Sequence, residues 1–273
     1  MPPAADMTLD KSDMPTTQDM KEDVTADMRE DAEPDMRVDT PDMREEVEPD
    51  MKPVEEDMSM PPTGDRPLAG FGEITGACDE LDTELDSPEA YFIQNTLDFG
   101  MDAYDMGDKE KLSADAQAIL DAGNAGGSSL ISETFAFEIL YRCEGAKLLA
   151  TETEVMYHNP MGKITDLLVE IDGKKVGVSV VRAFVFPFDD PYPYSEAERI
   201  LTKKLEGINE STANVKEEDR WVKQILSVAA YSEQHAVELR AAFDAASEEL
   251  KTDTILYVTV MEGEDRPIFF NED

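Results

Sequence analysis

The chain has 273 residues, of which 63 are Asp or Glu and only 24 are Lys or Arg, so its formal net charge at pH 7 is −39. A protein that neutralises phosphates needs clustered basic side chains, so this charge argues against free nucleic acid or an anionic membrane as the main partner. An unknown protein or a small molecule remains as the partner. The sequence also has no apolar run of about 18 residues, so no transmembrane helix is predicted.

Residues 1–66 form a repetitive acidic segment in which an Asp-Met pair recurs every six to eight residues, from Asp6 to Met58. No aromatic residue precedes Phe71, and prolines such as Pro34 interrupt any helix that the period could support. High charge without large apolar anchors cannot offset the entropy lost on ordering. We therefore predict a disordered linker. A Met-rich metal-binding tail is the alternative, although thioether sites usually need denser clustering.

The Asp-Met repeat resembles the acidic stalks that follow the lipidated cysteine of some bacterial surface lipoproteins. This resemblance implies an exported or surface-tethered protein whose true start lies upstream. The first residues, MPPAADMTLD, instead lack the charged and apolar regions of a signal peptide, which predicts a cytoplasmic protein as the sequence is written. Both locations stay open on the sequence.

Residues 67–127 are predicted to form a mixed extension of loop and helix. Within it, Ser113–Ala122 is typical of a short helix with a serine cap, and the glycine-rich residues 123–129 are typical of a loop. The glycines at 70, 72 and 76 nearly match a dinucleotide-binding fingerprint, but the third glycine comes one place late and no strand is predicted before them. No nucleotide cofactor is therefore expected.

Residues 128–263 show the patterns of an α/β domain. Ile131, Phe135 and Ile139 are at helical spacing and predict a helix over 131–142. Strands are predicted over 147–156, over 166–171 and over the β-branched stretch 175–185. The pair Asp172-Gly173 predicts a hairpin turn between the last two.

The second half of this region adds further elements in the same style. Ser195–Leu205 predicts an amphipathic helix, with Ser195 as its cap and Glu198 as the capping-box partner. Residues 222–230 fit a helix or a strand, 236–250 predict a helix and 254–261 a buried strand. The fold class is therefore α/β (or α+β), with a central mixed sheet flanked by helices. Residues 264–273 are predicted to be a C-terminal tail.

The usual catalytic signatures are missing from the sequence, which has no P-loop, nucleophile elbow, HExxH or EF-hand pattern. No short-range spacing joins the two histidines, His158 and His235. Cys78 and Cys143 match no metal or redox motif. Two separate thiols are the favoured interpretation, and a disulfide formed in an oxidising compartment is the alternative.

The order helix-strand-strand-strand-helix-strand over residues 131–261, with an acid in the first helix, resembles the PD-(D/E)XK, or restriction-endonuclease-like, superfamily. The resemblance implies a Mg²⁺ ion held by a helix Glu and a strand Asp, and an E-x-K pair on the third strand. Glu138 and Asp166 match the two metal-binding acids. Ser179 and Val181 fall at the E-x-K positions and cannot do that chemistry.

Two further residues complete the candidate site that this resemblance implies. Arg182 follows the third-strand positions but is expected on the opposite face, so it cannot simply replace the lysine. Gln224 resembles a glutamine that some members carry after the third strand. For each candidate a structural role is the alternative: surface carboxylate, turn-binding acid, packed serine, or salt-bridge arginine. The aromatic segment 184–194 is predicted to be a packed loop or an aromatic lip on a cleft.

These observations favour a catalytically degenerate, nuclease-like domain that acts as a binding or scaffold module. The alternative is an active metal-dependent phosphodiesterase that uses Glu138 and Asp166 with Mg²⁺, and clustering of Lys174, Lys203 and other basic residues in one cleft would favour it. A third hypothesis is that the likeness is only to a common α/β layer arrangement.

Overall fold

The computed structural model describes residues 70–123, 129–188 and 190–270, so the linker predicted for 1–66 lies outside the described residues. The strands are β1 (Glu73–Gly76), β2 (Tyr91–Asp98), β3 (Lys147–Thr151), β4 (Leu167–Ile171), β5 (Lys174–Ala183), β6 (Lys223–Ala230) and β7 (Ile255–Glu262). The helices are α1 (Ala114–Ala122), α2 (Leu130–Glu144), α3 (Tyr194–Asn214), α4 (Glu233–Ala245), α5 (Glu248–Lys251) and α6 (Arg266–Phe270).

All seven strands belong to one sheet with the order β1-β2-β7-β6-β5-β4-β3. The four central strands β2, β7, β6 and β5 are parallel, whereas β1 at one side and β4 and β3 at the other are antiparallel to their neighbours. Helices pack on both faces of this mixed sheet, which confirms the predicted α/β class.

Side chains alternate between the two faces of the sheet, as strand geometry requires. Val178 and Val180 of β5 pack in the apolar cluster that contains α1, α2 and α6. Val181 and Ala183 pack with α3 and α4 on the other face. Even-numbered side chains of β5 such as Val180 therefore face α1, α2 and α6, and odd-numbered ones such as Val181 face α3 and α4.

Several predicted element boundaries are wrong in detail. β3 ends at Thr151 because the chain turns there, with the Glu154 carboxylate accepting a hydrogen bond from the Thr151 amide at 2.9 Å. α3 begins at Tyr194 after Pro193 and has no side-chain cap, so the predicted Ser195–Glu198 capping box does not form. The ambiguous segment 222–230 is strand β6, and the predicted helix 236–250 is divided into α4 and α5.

The extension 67–127 contains two strands that the sequence patterns did not predict. β2 pairs in parallel with β7 along its whole length, and β1 pairs with β2 at the sheet edge. The predicted serine cap of α1 is confirmed, because the Ser113 hydroxyl accepts a hydrogen bond from the Ala116 amide. None of the helices in the ranges that the structure covers has both the length and the apolar composition to cross a membrane.

Cys78 and Cys143 form a disulfide, with 4.7 Å between their Cα atoms, so the interpretation as separate thiols is wrong. The last turn of α2 carries Cys143, and the segment after β1 passes directly over it. The neighbouring Glu144 carboxylate accepts hydrogen bonds from the amides of Glu80 and Leu81 at 3.1 and 3.0 Å. The covalent bond and the carboxylate therefore attach the same segment to α2.

We expect a variant with both Cys78→Ser and Cys143→Ser to be less stable than the wild type by about 2–4 kcal/mol, because the disulfide restricts the unfolded chain. Urea unfolding of the two proteins measures the difference. Reduced wild-type protein is the matched control and should behave like the variant. Equal unfolding midpoints for the variant and the oxidised wild type would contradict a stabilising role.

Candidate functional site

The candidate site lies where β5 extends beyond its neighbour β4. β5 has ten residues and β4 has five, and their pairing ends at Leu167 and Val178. The next outward-facing backbone groups of β5 belong to Val180, and two side chains bind them. The Asp166 carboxylate accepts a hydrogen bond from the Val180 amide at 2.6 Å, and the Lys204 ammonium donates one to the Val180 carbonyl at 2.7 Å.

Glu133, in the first turn of α2, faces this exposed strand edge, although its side chain is only 4% exposed. Burial raises the pKa of Glu133 to about 7. The hydrogen bond from the Ser129 hydroxyl has the opposite effect and lowers this pKa. The nearby carboxylates of Asp166 and Glu152 raise the pKa further, and Lys204 lowers it. Glu133 is therefore only partly ionised near neutral pH. We call Glu133, Glu152, Asp166, Arg182 and Lys204 the β5-edge cluster.

Asp166 shares this environment. Burial raises the pKa of Asp166, while Lys204 and the Val180 amide lower it and Glu152 raises it again. Desolvation therefore outweighs the two stabilising contacts. Acids with raised pKa values on two different elements, α2 and the start of β4, face one strand edge.

Arg182 lies on the α2 side of β5. Burial lowers its pKa and the nearby Glu133 carboxylate raises it, so Arg182 belongs to the cluster. Its guanidinium donates a hydrogen bond to the Phe269 carbonyl at 2.8 Å, which connects β5 to α6. Ser179 lies on the other side of the sheet, where its hydroxyl is 3.4 Å from that of Thr165. The α2 side of β5 thus presents Val180 and Arg182, whereas Ser179 and Val181 lie on the α3 side, so Arg182 is on the opposite face from them as predicted.

Glu138 does not join Asp166. Its carboxylate accepts a hydrogen bond from the Ser113 amide at 3.0 Å, at the start of α1, and the Arg142 guanidinium lies nearby. Five residues separate Glu138 from Glu133, which is about 140° around a helix. Glu133 faces Asp166, so Glu138 is turned away from Asp166 and faces the N-terminal extension. The predicted metal pair of Glu138 and Asp166 is not formed.

Gln224 lies on the α3 side of β6, opposite Gly177 of β5. It is 2% exposed, and neither its amide nitrogen nor its amide oxygen has a hydrogen-bond partner within the part of the chain that the structure covers. A Cβ atom added at Gly177 would lie 2.8 Å from the Gln224 amide nitrogen and 2.9 Å from the Trp221 ring. Trp221 itself is buried among apolar side chains.

The Mg²⁺ ion that the resemblance implies does not fit these residues. Hard divalent cations take about six oxygen ligands. Among the described residues, no group of three or more His, Cys, Asp or Glu side chains is arranged to hold a metal ion. The backbone carbonyls of Val180 and Val178 beside Asp166 already accept hydrogen bonds, from Lys204 and from the Asp166 amide respectively. The donor set is therefore too small for a divalent ion.

The basic residues whose clustering in one cleft would favour a phosphodiesterase, Lys174, Lys175, Arg182, Lys203 and Lys204, are mostly dispersed. Lys174 pairs with Asp86 at 2.7 Å, Lys175 donates to the Glu218 carbonyl, and Lys203 is exposed on α3. Of that set, Lys204 and Arg182 reach the β5-edge cluster.

The aromatic segment after β5 forms a continuous group of rings beside the cluster. Phe188 is its centre, with ring centroids 5.4 Å from Phe184, 6.1 Å from Phe186 and 4.8 Å from both Tyr231 and Phe270. Phe184 also contacts Phe269, whose carbonyl binds Arg182. We call these rings the aromatic patch, and its members are Phe184, Phe186, Phe188, Tyr231, Phe269 and Phe270.

Of the residues that the sequence suggested, Asp166 and Arg182 lie in the β5-edge cluster, together with Glu133 and Lys204, which the sequence did not suggest as site residues. One signal for the correct glutamate was available. Glu138 and Arg142 are four residues apart, a spacing that brings opposite charges together on a helix and indicates a structural pair. Glu133 has no such basic partner in its own helix.

Comparisons with known proteins give limited information about this site. No family model matches the chain. It is 40% identical over 153 residues to the AAC-rich mRNA clone AAC4 protein of Dictyostelium discoideum, a match that covers 54% of this chain and 22% of that protein. The chain thus spans about a fifth of the length of that relative. Among solved structures, Pyrococcus furiosus SfsA in complex with Ca²⁺ overlaps 49% of this chain and 58% of its own, with a TM-score of 0.25 and 12% identity.

We expect Glu133→Gln to change how stability depends on pH. The pKa of Glu133 is about 7 in the folded protein and 4.5 for an ordinary glutamate, so between these values the folded state keeps a proton that the unfolded state loses. Wild-type stability should therefore fall as pH rises through this window, whereas Gln has no proton to lose.

The stability gained by Glu133→Gln over the wild type should grow by up to about 3 kcal/mol between about pH 4.5 and 7 and then level off. Urea unfolding at a series of pH values measures it. Glu210→Gln, at an exposed position on α3, is the control and should follow the wild type. A gain for Glu133→Gln that does not change with pH would show that the side chain is not protonated in the folded state.

Proposed function

We propose that this domain is a non-catalytic binding module and that its ligand site is the β5-edge cluster. The observation that carries the proposal is the double contact at Val180, where Asp166 binds the amide and Lys204 binds the carbonyl. Both charged groups stabilise a strand edge that β4 leaves unpaired. In a hydrolase, the acid would hold an ion and the lysine would act on water.

Three further features support binding rather than catalysis. The donor set does not fit a divalent cation, the α2 side of β5 has Val180 where an acid would be needed, and Arg182 is bound to the carbonyl of Phe269. The site lies at the carboxyl end of the parallel strands β5 and β6, where ligands of open α/β sheets bind. The charges of the cluster and the surface around it would then determine which ligand binds.

One observation favours the alternative of an active phosphodiesterase. Burial raises the pKa values of both Glu133 and Asp166, that of Glu133 to about 7, and an acid whose pKa lies near neutrality suits proton transfer. In that case Glu133 would act as the acid in place of Glu138, with Asp166 as its partner.

The two functions differ in their response to metal. For a binding module we expect millimolar Mg²⁺ or Mn²⁺ to raise the free energy of unfolding by less than about 0.5 kcal/mol, roughly 1–2 °C in melting temperature. Cleavage of DNA, RNA and bis(p-nitrophenyl) phosphate should not exceed that of Asp166→Asn. Metal-dependent cleavage, together with a large thermal shift that Asp166→Ala abolishes, would establish the phosphodiesterase instead.

We also propose that the domain works in an oxidising compartment, because the Cys78–Cys143 disulfide persists only where thiols are not kept reduced. This supports the exported or surface-tethered location over the cytoplasmic one. We expect both cysteines of protein isolated from its native cells under acid quench to resist alkylation until a reductant is added. Mass spectrometry measures the number of blocked thiols, and immediate alkylation of both cysteines would indicate a reducing compartment.

A further inference from the structure

The aromatic patch is more exposed than folding requires. Phe186 is 80% exposed and Phe270 is 40% exposed, although both belong to a group of rings in mutual contact. Single exposed apolar residues are ordinary, but a contiguous exposed aromatic surface marks an interaction site. Aromatic side chains also supply much of the binding energy of protein interfaces.

The charge of the chain decides between the possible occupants of this surface. A second copy would bring another net charge of −39 against the first, and nucleic acid or an anionic membrane would meet the same repulsion. The β5-edge cluster next to the patch contains three acids and two bases, so the net charge of the whole chain sets the sign of the attraction. Charge complementarity therefore selects a cationic occupant.

The patch also has a chemical preference for guanidinium groups. The Arg266 guanidinium lies 5.0 Å from the ring centroid of Phe270, which is a cation–π contact. An incoming basic side chain could use the Phe186 ring in the same way, because that ring is almost fully exposed. Arg182 and Phe269 connect the patch to the cluster, so one extended ligand could contact both.

We propose that the aromatic patch and the β5-edge cluster form one docking surface for a segment of a partner protein that combines Arg or Lys with apolar side chains. The apolar side chains pack on Phe186 and Phe188, and the basic ones stack on the exposed Phe186 ring and are attracted by the negative net charge of the chain. The proposal rests on the proposed function in treating the domain as a binding module, and it adds the chemical class of the partner.

The test uses the full chain and two synthetic peptides of equal length, one alternating Arg with Leu and the other alternating Glu with Leu. Isothermal titration calorimetry measures their affinities. We expect the Arg peptide to bind and the Glu peptide not to bind. Phe186→Ala should weaken binding of the Arg peptide by about tenfold or more, as loss of an aromatic anchor does at other interfaces.

Residues 1–66 are themselves acidic and can attract the Arg peptide, so the comparison of variants decides the outcome. Met161→Ala is the matched control, because Met161 is 90% exposed and lies outside the patch. Equal affinities for Phe186→Ala and Met161→Ala would overturn the docking surface. Sedimentation that shows a wild-type dimer, dissociated by Phe186→Ala, would overturn the choice of partner in favour of a second copy.

The result is separable from the test of the proposed function. If Glu133→Gln and Asp166→Asn weaken binding while Phe186→Ala does not, the cluster binds the ligand alone, and the docking surface fails while the binding module stands. Metal-dependent cleavage would contradict the proposed binding function, whereas the comparison of peptide affinities would still test the docking surface.

Discussion

The structure depends on the contacts that buried charged side chains of α2 make with backbone groups. Glu138 binds the amide at the start of α1, Arg142 binds the carbonyls of Phe71 and Gly72, and Glu144 binds two amides after β1 and the hydroxyl of Tyr257. Buried charges are costly unless hydrogen bonds satisfy them. These contacts attach the N-terminal extension to the helix and fix the direction in which its first turn faces.

The position of the site follows from a mismatch in strand length. The turn at Asp172–Gly173 connects β4 and β5 in a hairpin. Because β4 is short, its pairing with β5 stops at Val178. β6 continues beside β5 to Ala183, so β5 remains a strand while one of its edges is uncovered. An uncovered edge presents backbone donors and acceptors that other groups must satisfy. Asp166 and Lys204 have this role at Val180, and their position there brings opposite charges near Glu133.

Much of this architecture could be predicted from the sequence, and the exceptions have physical reasons. The β-branched composition of β5, the Asp-Gly turn and the serine cap of α1 each specify local structure, so those predictions hold. β2 carries a weaker signal, because its stability comes from pairing with β7, a partner more than 150 residues away, and β1 depends in turn on β2. α2 is buried on nearly every side and so has no polar face. Its helical period therefore cannot show whether Glu133 or Glu138 faces the site.

The contrast among the buried glutamates of α2 is the best guide to which one serves function. Glu138 accepts from a backbone amide, and Glu144 accepts from two amides and a tyrosine hydroxyl, so both carboxylates connect parts of the fold. Glu133 instead meets the Ser129 hydroxyl and the carboxyl groups of Asp166 and Glu152, and burial moves its pKa toward neutrality. A buried acid beside other acids destabilises the folded chain. Hydrogen bonds to the fold offset the cost of burying Glu138 and Glu144, whereas neighbouring acids add to the cost of burying Glu133, which fits the ligand-binding role proposed for the β5-edge cluster.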